Sequence, residues 1–121
     1  MAATGSFTYS ASIERIVDGD TVDVMVDLGF KMFTRQRVRL YGINTPESRT
    51  RDLEEKKRGK AATARLTELL DGVSRQICLE SHEFGKYGRC LGTLYSPDGE
   101  TNFNQALVDE GHAVEYFGGK R

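Results

Sequence analysis

The alternation of apolar and polar residues over Thr21–Leu28 is the sequence feature that most constrains the fold. This stretch reads TVDVMVDL, with valine at every second position. A period of two is typical of a β-strand with one buried face. The run Phe33–Tyr41 also alternates, with Val38 and Leu40 on one face. The residues Leu28–Lys31 between the two runs predict a hairpin turn, so the sequence indicates an antiparallel pair of strands.

The elements around this hairpin follow from local signals. Strand-like character begins at Tyr9, and Asp18–Asp20, which reads DGD, predicts a tight turn or bulge. The polar, irregular segment Asn44–Gly59 predicts a loop. Apolar residues at helical spacing predict a helix over Lys60–Leu70. Gly72 is suited to a left-handed cap at the end of that helix.

The last third of the chain predicts two more strands and a short helix. The strands are expected near Ser74–Glu80 and Arg89–Tyr95. Asn104 is the expected N-cap of a helix that continues to Glu110, and an extended piece follows over His112–Phe117. Three strands, a helix, two strands and a helix form the layout of a small Greek-key barrel, the OB-fold. The predicted fold class is therefore mainly β with α, a five-stranded barrel with about two helices.

Length and charge narrow the class of protein. A chain of 121 residues is long enough for one domain, which we assign to residues 9–121 after a flexible N-terminus at 1–8. No apolar run approaches a membrane span and the first residues lack a signal-peptide pattern, so we expect a cytoplasmic monomer without a membrane partner. The 17 basic and 18 acidic residues exclude a histone-like polycation, but not a local basic site.

The cysteines carry little information about function. Cys78 and Cys90 are too few for a disulfide framework, and free thiols are expected. A zinc site could recruit His82 and His112, but the spacing of these residues matches no common zinc motif.

Oxygen donors are the first candidate functional groups. Asp20 shares the parity of the buried valines, and an inward carboxylate is costly unless it is paired or binds a cation. The stretch Asn44–Glu47 offers an amide oxygen, backbone carbonyls and a carboxylate, which are hard donors that suit calcium or magnesium. The same stretch is also typical of an ordinary turn before a capped helix.

Two arginines are the second candidate group. Arg39 precedes the Asn44–Glu47 segment, and Arg89 closes the loop between the last two predicted strands. A guanidinium fork matches two phosphate oxygens and keeps its charge at any physiological pH. Each arginine taken alone is typical of a solvated surface charge. Together with the oxygen donors they match the needs of phosphodiester cleavage: a metal, a base and cations.

Four motifs give the sequence a resemblance to a known family. They are IVDGDTV from Ile16, VRLYGINTPE from Val38, KYGR from Lys86 and NQALV from Asn104. In this order and spacing, the sequence resembles the staphylococcal nuclease, or thermonuclease, family of calcium-dependent nucleases. The resemblance extends over Ala11–Tyr116, nearly the whole chain.

The resemblance implies an OB-fold enzyme that hydrolyses DNA and RNA, with little sequence specificity, and leaves 3′-phosphate ends. The residues that it assigns are Asp20, Asn44 and Thr45 for calcium, Arg39, Glu47 and Arg89 for catalysis, and Lys86, Tyr87 and Tyr116 for the substrate. In this assignment Glu47 is the general base for the attacking water, and the two arginines hold the phosphate.

Asn44 is a departure from the family pattern, which has aspartate at this place. An amide oxygen can still bind calcium, but one negative charge is lost. We therefore expect weaker calcium binding or a preference for another divalent ion. The alternative function is a non-catalytic OB module that binds nucleic acid or a protein partner.

The segment Arg49–Lys60 adds a basic surface, with six basic and three acidic residues. It is either a solvated loop or a rim that contacts phosphates and makes binding sensitive to salt. Stacking of bases on Tyr87 favours single-stranded substrates.

Overall fold

Five strands form a closed barrel in the computed structural model, which describes residues 7–46, 51–84 and 90–116. In chain order the elements are β1 (Phe7–Asp18), β2 (Thr21–Gly29), β3 (Met32–Leu40), β4 (Ile43–Asn44), α1 (Leu53–Asp71), β5 (Gln76–Phe84), β6 (Cys90–Tyr95), α2 (Phe103–Asp109) and β7 (Val114–Glu115). The barrel order is β1-β2-β3-β6-β5, and β4 pairs with β7 in a separate two-stranded sheet. The predicted fold class is confirmed.

The β2–β3 hairpin is the longest antiparallel pairing of two strands among the described residues of the barrel. Val22, Val24 and Val26 are buried in the core, as the alternation predicts. The turn consists of Phe30 and Lys31, whose φ angles of 56° and 61° are left-handed. Two left-handed residues form the turn that matches the twist of a hairpin, although glycine and asparagine are preferred there.

A short parallel contact between β3 and β6 closes the barrel. Its three pairs are Val38 with Cys90, Arg39 with Leu91 and Leu40 with Gly92. A Cβ on Gly92 would lie 2.7 Å from the Leu79 Cδ1 atom, so a side chain larger than hydrogen does not fit at this seam. The closure brings the end of β3, and Arg39 with it, against the second half of the chain.

Helix α1 begins earlier than the sequence predicted. Its first residue is Leu53 rather than Lys60, so the predicted loop over Asn44–Gly59 is wrong for its last seven residues. The carboxylate of Asp52 caps the helix by accepting hydrogen bonds from two backbone N–H groups, at 3.0 and 3.3 Å. The first two turns are polar and mostly exposed, so they carry no apolar period that would predict a helix.

The predicted left-handed cap at Gly72 is also wrong. Gly72 has a φ of −63°, within the right-handed region. The chain leaves the helix through Ser74 and Arg75, whose φ angles are 56° and 59°. The Arg75 N–H donates to the Leu70 carbonyl at 2.8 Å and so satisfies one of the terminal acceptors of the helix.

The N-cap of α2 is Asn102 rather than the predicted Asn104. The Asn102 carboxamide oxygen accepts a hydrogen bond from the Gln105 N–H at 3.0 Å. Asn104 lies inside the helix and is buried, because it shares the core-facing side with Phe103 and Leu107. Its side chain therefore has another role, which is described below.

Neither helix in the described part of the chain combines the length and the apolar character that crossing a bilayer requires.

Candidate functional site

Four of the predicted site residues converge at one end of the barrel. Asp20 lies in the β1–β2 turn, Arg39 near the end of β3, Asn44 in β4, and Thr45 directly after it. The Leu40 N–H donates to the Asp20 carbonyl at 2.8 Å, which fixes the turn against the end of β3. Barrel closure and the hairpin register thus bring these residues together from three chain segments.

The carboxylate of Asp20 is largely buried and fully engaged. Its side chain is 13% exposed, and Oδ2 lies 3.5 Å from the Nη1 atom of Arg39. Oδ2 also accepts a hydrogen bond from the Thr45 N–H at 3.2 Å, and Oδ1 accepts one from the Thr21 hydroxyl at 3.1 Å. The ion pair and the two hydrogen bonds offset the cost of burying the charge.

The guanidinium of Arg39 organises the loop that carries the other donors. Nη1 donates to the carbonyls of Leu40 and Ile43, at 3.0 and 2.9 Å. Nη2 donates to the Oδ1 atom of Asn44 at 3.1 Å. A guanidinium has five N–H donors, so Nε and one Nη2 hydrogen have no acceptor among the described residues. These two donors are available for a ligand.

Gly19 allows the Asp20 turn to approach helix α1 closely. A Cβ on Gly19 would lie 2.9 Å from the Cβ of Ala62 and 3.1 Å from the Oγ1 of Thr45. Thr45 is buried in this contact. Any side chain at position 19 would therefore push the turn, and the Asp20 carboxylate with it, away from the helix.

Asn104 is a supporting residue whose role the sequence did not reveal. Its side chain is 4% exposed. Its Oδ1 accepts from the Leu94 N–H at 3.1 Å, and its Nδ2 donates to the carbonyls of Tyr41 and Gly92 at 2.9 and 3.1 Å. These bonds tie α2 to β6 and to the segment just before β4. The signals in the sequence are that Asn104 lies on the same helix face as Leu107 and that it begins the NQALV motif.

The remaining predicted residues divide into two groups. Glu47, Lys86, Tyr87 and Arg89 lie outside the described residues. Tyr116 is described: its backbone N–H donates to the Gly42 carbonyl at 2.8 Å, which extends the β4–β7 pairing beside the site. Tyr116 is therefore linked to the loop that carries Asn44.

A groove of about 330 Å³ continues from the site. Asn44 and Thr45 line one wall with Pro46, and Arg58 of α1 lies on the other side together with His112. The groove meets the site at Asn44 and Thr45, and its described lining does not include Asp20 or Arg39.

The donor atoms fit a hard divalent cation. Oxygen atoms of Asp20 and Asn44 both contact the same guanidinium, so they lie close together, and oxygen is the ligand type of calcium and magnesium. The donor set contains one carboxylate, and among the described residues no three His, Cys, Asp or Glu side chains come together.

The two cysteines and His82 are not among the residues that form the candidate site. Cys78 and Cys90 are both free thiols, and burial raises the pKa of Cys90. The Nε2 atom of His82 lies 2.9 Å from the Thr93 hydroxyl, and its ring stacks on Tyr41 with the ring centres 4.1 Å apart.

Comparison with known proteins places this architecture in a family. The micrococcal nuclease of Shigella flexneri is 35% identical over 117 residues, which cover 89% of this chain and 59% of that protein. The protein ParB of Escherichia coli is 33% identical, with coverage of 86% and 55%, and the thermonuclease of Staphylococcus intermedius is 31% identical, with coverage of 87% and 58%. The chain thus spans less than two thirds of the length of these relatives.

The family model described as "Staphylococcal nuclease homologue" matches residues 37–121, which is well over half of the chain. The matched part contains the last residues of β3, both helices and the site loop, whereas Asp20 precedes it, and the barrel is of the expected kind. This chain belongs to the staphylococcal nuclease homologue family.

Proposed function

We propose that this chain is a divalent-metal-dependent nuclease that hydrolyses DNA and RNA with little sequence specificity. The observation that carries the proposal is the Asp20–Arg39 pair, whose Oδ2 and Nη1 atoms lie 3.5 Å apart, next to Asn44 and Thr45, which line a groove. A carboxylate and a guanidinium held together beside a groove are the elements that bind a cation and a phosphate side by side. The names of the relatives, which include micrococcal nuclease, endonuclease and thermonuclease, support the same reading.

The metal ligands in this proposal are the Asp20 carboxylate, the Asn44 amide oxygen and the Thr45 carbonyl. Calcium is the proposed ion, with another divalent ion as the alternative, because all three donors are oxygens. When bound, the cation supplies charge neutralisation for the phosphate.

Arg39 holds the scissile phosphate in this proposal. Its Nη1 hydrogens and one Nη2 hydrogen keep the loop in place, which fixes the orientation of the guanidinium plane. The Nε hydrogen and the remaining Nη2 hydrogen then donate to phosphate oxygens, on which negative charge develops during the reaction. A group that is already held in place needs no reorganisation as that charge develops.

The roles of the other residues are proposed from their positions in the motifs. Glu47 takes a proton from the attacking water, and Arg89 supplies a second guanidinium to the phosphate. Lys86, Tyr87 and Tyr116 contact the nucleotide next to the scissile bond, and stacking on Tyr87 favours single strands. The products carry 3′-phosphate ends, and the active species is a monomer.

A binding module without catalysis is the second candidate, and one observation favours it. The described donor set has a single carboxylate, and the Asn44 oxygen is already held by Arg39. A weak metal site would leave a barrel that binds nucleic acid through its arginines and the basic segment but does not cleave it.

Cleavage of supercoiled plasmid and of single-stranded DNA tests both candidates. We expect cleavage with calcium, none with a chelator, and a loss of about 10²–10⁴-fold for Glu47→Gln, which removes the general base. Glu54→Gln, an exposed carboxylate at the start of α1, is the matched control and should retain activity. Cleavage that persists in the presence of the chelator would exclude the metal-dependent enzyme, and DNA binding without cleavage would establish the binding module.

A further inference from the structure

The tip of the β2–β3 hairpin exposes an unusual amount of apolar surface. We define the hairpin tip as residues 28–33, which read LGFKMF. Four of these six side chains are large and apolar, and their exposed fractions are 46% for Leu28, 100% for Phe30, 60% for Met32 and 59% for Phe33. Single exposed apolar residues are normal, but four within six residues form a patch of the size that is often functional.

The apolar side chains are not confined to one side of the hairpin. Met32 and Phe33 are consecutive on β3, so their side chains project to opposite faces of the ribbon. Phe30 lies at the apex, in the two-residue turn. A flat protein surface would cover one of these faces and leave the other in water. A medium that surrounds the tip would cover both.

The backbone of the turn does not explain the choice of residues. Phe30 and Lys31 occupy left-handed positions, where glycine or asparagine is preferred. Another requirement must therefore favour an aromatic and a basic residue at the apex.

The charge at the tip is positive. Lys31 is the one charged residue among the six. The carboxylate of Asp27, the residue that directly precedes the tip in sequence, accepts a hydrogen bond from the Gly29 N–H at 2.8 Å. Further from the apex, Arg37 pairs with Asp23 and Arg35 pairs with Glu14, so these charges are balanced. An apolar apex with one cation complements an anionic surface that has an apolar interior.

The area of the tip is too small for a stable dimer. At about 200 Å² for each fully exposed large side chain, the exposed fractions give on the order of 500 Å². A stable interface between two proteins buries about 800 Å² on each partner. Insertion into lipid has no such threshold, because membrane binding increases in proportion to the apolar area that is buried.

We infer that the hairpin tip inserts into the surface of an anionic lipid bilayer, with Phe30 and its apolar neighbours below the headgroups and Lys31 at their level. No apolar run of the sequence is long enough to span a bilayer, but insertion of a hairpin tip requires no span. β2 spans nine residues, so the tip lies roughly 25 Å from Asp20. A membrane-bound molecule can therefore keep the candidate nuclease site facing solvent.

A single tryptophan gives a direct test, because the chain contains none. The full chain with Phe30→Trp is mixed with phosphatidylcholine vesicles, with or without phosphatidylglycerol. We expect a blue shift of the emission and quenching by brominated lipid, both stronger with phosphatidylglycerol. Glu100→Trp is the control, because Glu100 is also exposed but lies in the turn before α2, outside the hairpin tip and the basic segment, and the emission of that tryptophan should stay unchanged.

Co-sedimentation with the same vesicles, using chains without the added tryptophan, completes the test. Phe30→Ser should lower the partition coefficient by about tenfold or more, since it removes the side chain that is buried most deeply. Lys31→Gln should lower it about fivefold, and only on vesicles with phosphatidylglycerol. Plasmid cleavage by Phe30→Ser without vesicles should match that of the wild type, which separates this inference from the proposed nuclease activity.

Two results would overturn the inference. Unshifted emission together with wild-type protein that stays in the supernatant would exclude lipid binding. A concentration-dependent dimer in sedimentation velocity that Phe30→Ser abolishes would assign the tip to a second copy of the chain instead.

Discussion

Asn44 is the one amide side chain among the proposed metal ligands. Its amide oxygen accepts from Arg39, beside the carboxylate of Asp20. Amide and carboxylate side chains have almost the same shape, so replacing one with the other changes charge without changing packing.

We expect Asn44→Asp to raise the calcium affinity at least tenfold. One unit charge at about 4 Å is worth up to about 4 kcal/mol at an effective dielectric near 20, an upper bound that desolvation reduces. Titration calorimetry with calcium measures the change. Asn102→Asp at the cap of α2 makes the same chemical change away from the site and should leave the affinity unaltered. An unchanged affinity in Asn44→Asp would mean that residue 44 is not a ligand.

Asn104 is the other residue whose replacement should be informative. We expect Asn104→Ala to lower the free energy of unfolding by about 1–3 kcal/mol, because the buried Leu94 N–H loses its acceptor. Urea denaturation measures this change. Gln105→Ala, next in sequence but exposed, should change stability by less than about 0.5 kcal/mol. Equal effects of the two substitutions would contradict the bracing role of Asn104.

At the scale of elements, the sequence predicted what depends on local pattern. The valine alternation identified β2 because its burial has a period of two. The first two turns of α1 were not predicted, because a polar helix start is signalled by its N-cap, Asp52, rather than by the spacing of apolar residues. The burial of Asn104 was not predicted for a related reason, because an asparagine near the start of a helix is usually its N-cap.

The register of the β2–β3 hairpin shows why the site itself could be predicted only in part. Gly29 pairs with Met32, but a bulge follows, and Thr21 therefore pairs with Arg39 rather than with Leu40. A shift of one residue exchanges the two faces of a strand. The sequence indicated the strands and the turn but not this bulge. That Asp20 and Arg39 lie close together could therefore be predicted only from the motifs.

The close packing of the β1–β2 turn on α1 leads to a prediction at this scale. We expect Gly19→Ala to cost about 1–3 kcal/mol of stability, because the added methyl overlaps Ala62, and to weaken calcium binding by displacing Asp20. Urea denaturation and calorimetry measure the two effects.

The chain offers both a control and a rescue for Gly19→Ala. A Cβ on Gly72 would have its nearest neighbour, a backbone oxygen, at 3.4 Å, so Gly72→Ala should be tolerated. Adding Ala62→Gly to Gly19→Ala makes room for the methyl and should restore calcium binding. Failure of this rescue would mean that the loss has another cause than the contact between the turn and the helix.

At the scale of the whole molecule, ion pairs on the surface connect separate elements: two of them join strands of the barrel, and Arg65–Glu110 joins α1 to the end of α2. Hydrogen bonds from arginine lower the pKa of three carboxyl groups: Arg37 acts on Asp23, Arg35 on Glu14 and Arg65 on Glu110. A carboxyl group whose pKa is lower in the folded state contributes stability above its unfolded pKa, near pH 4, and loses this contribution as the pH falls.

We therefore expect the free energy of unfolding to fall as the pH drops from about 5 to 3, because the unfolded chain takes up protons first. Urea denaturation across this range measures the slope. Asp23→Asn removes the shifted group, so its stability should be lower at neutral pH and should fall less steeply. Parallel curves for Asp23→Asn and the wild type would contradict the contribution of the Asp23–Arg37 pair.

The overall topology could be predicted from the sequence, because the order of strands and helices is compatible with very few barrel topologies. The sequence could not show how β3 and β6 would pair in parallel, since such a contact depends on how the complete sheet twists and curls.

The parallel contact between β3 and β6 has a kinetic consequence. Arg39 is the middle residue of the three described pairs, and its partner Leu91 follows α1 and β5 in the chain. Contacts between residues so distant in sequence are slow to form, since the intervening chain must be ordered first. Recovery of the proposed nuclease activity after dilution from urea should consequently lag behind the return of helical circular dichroism.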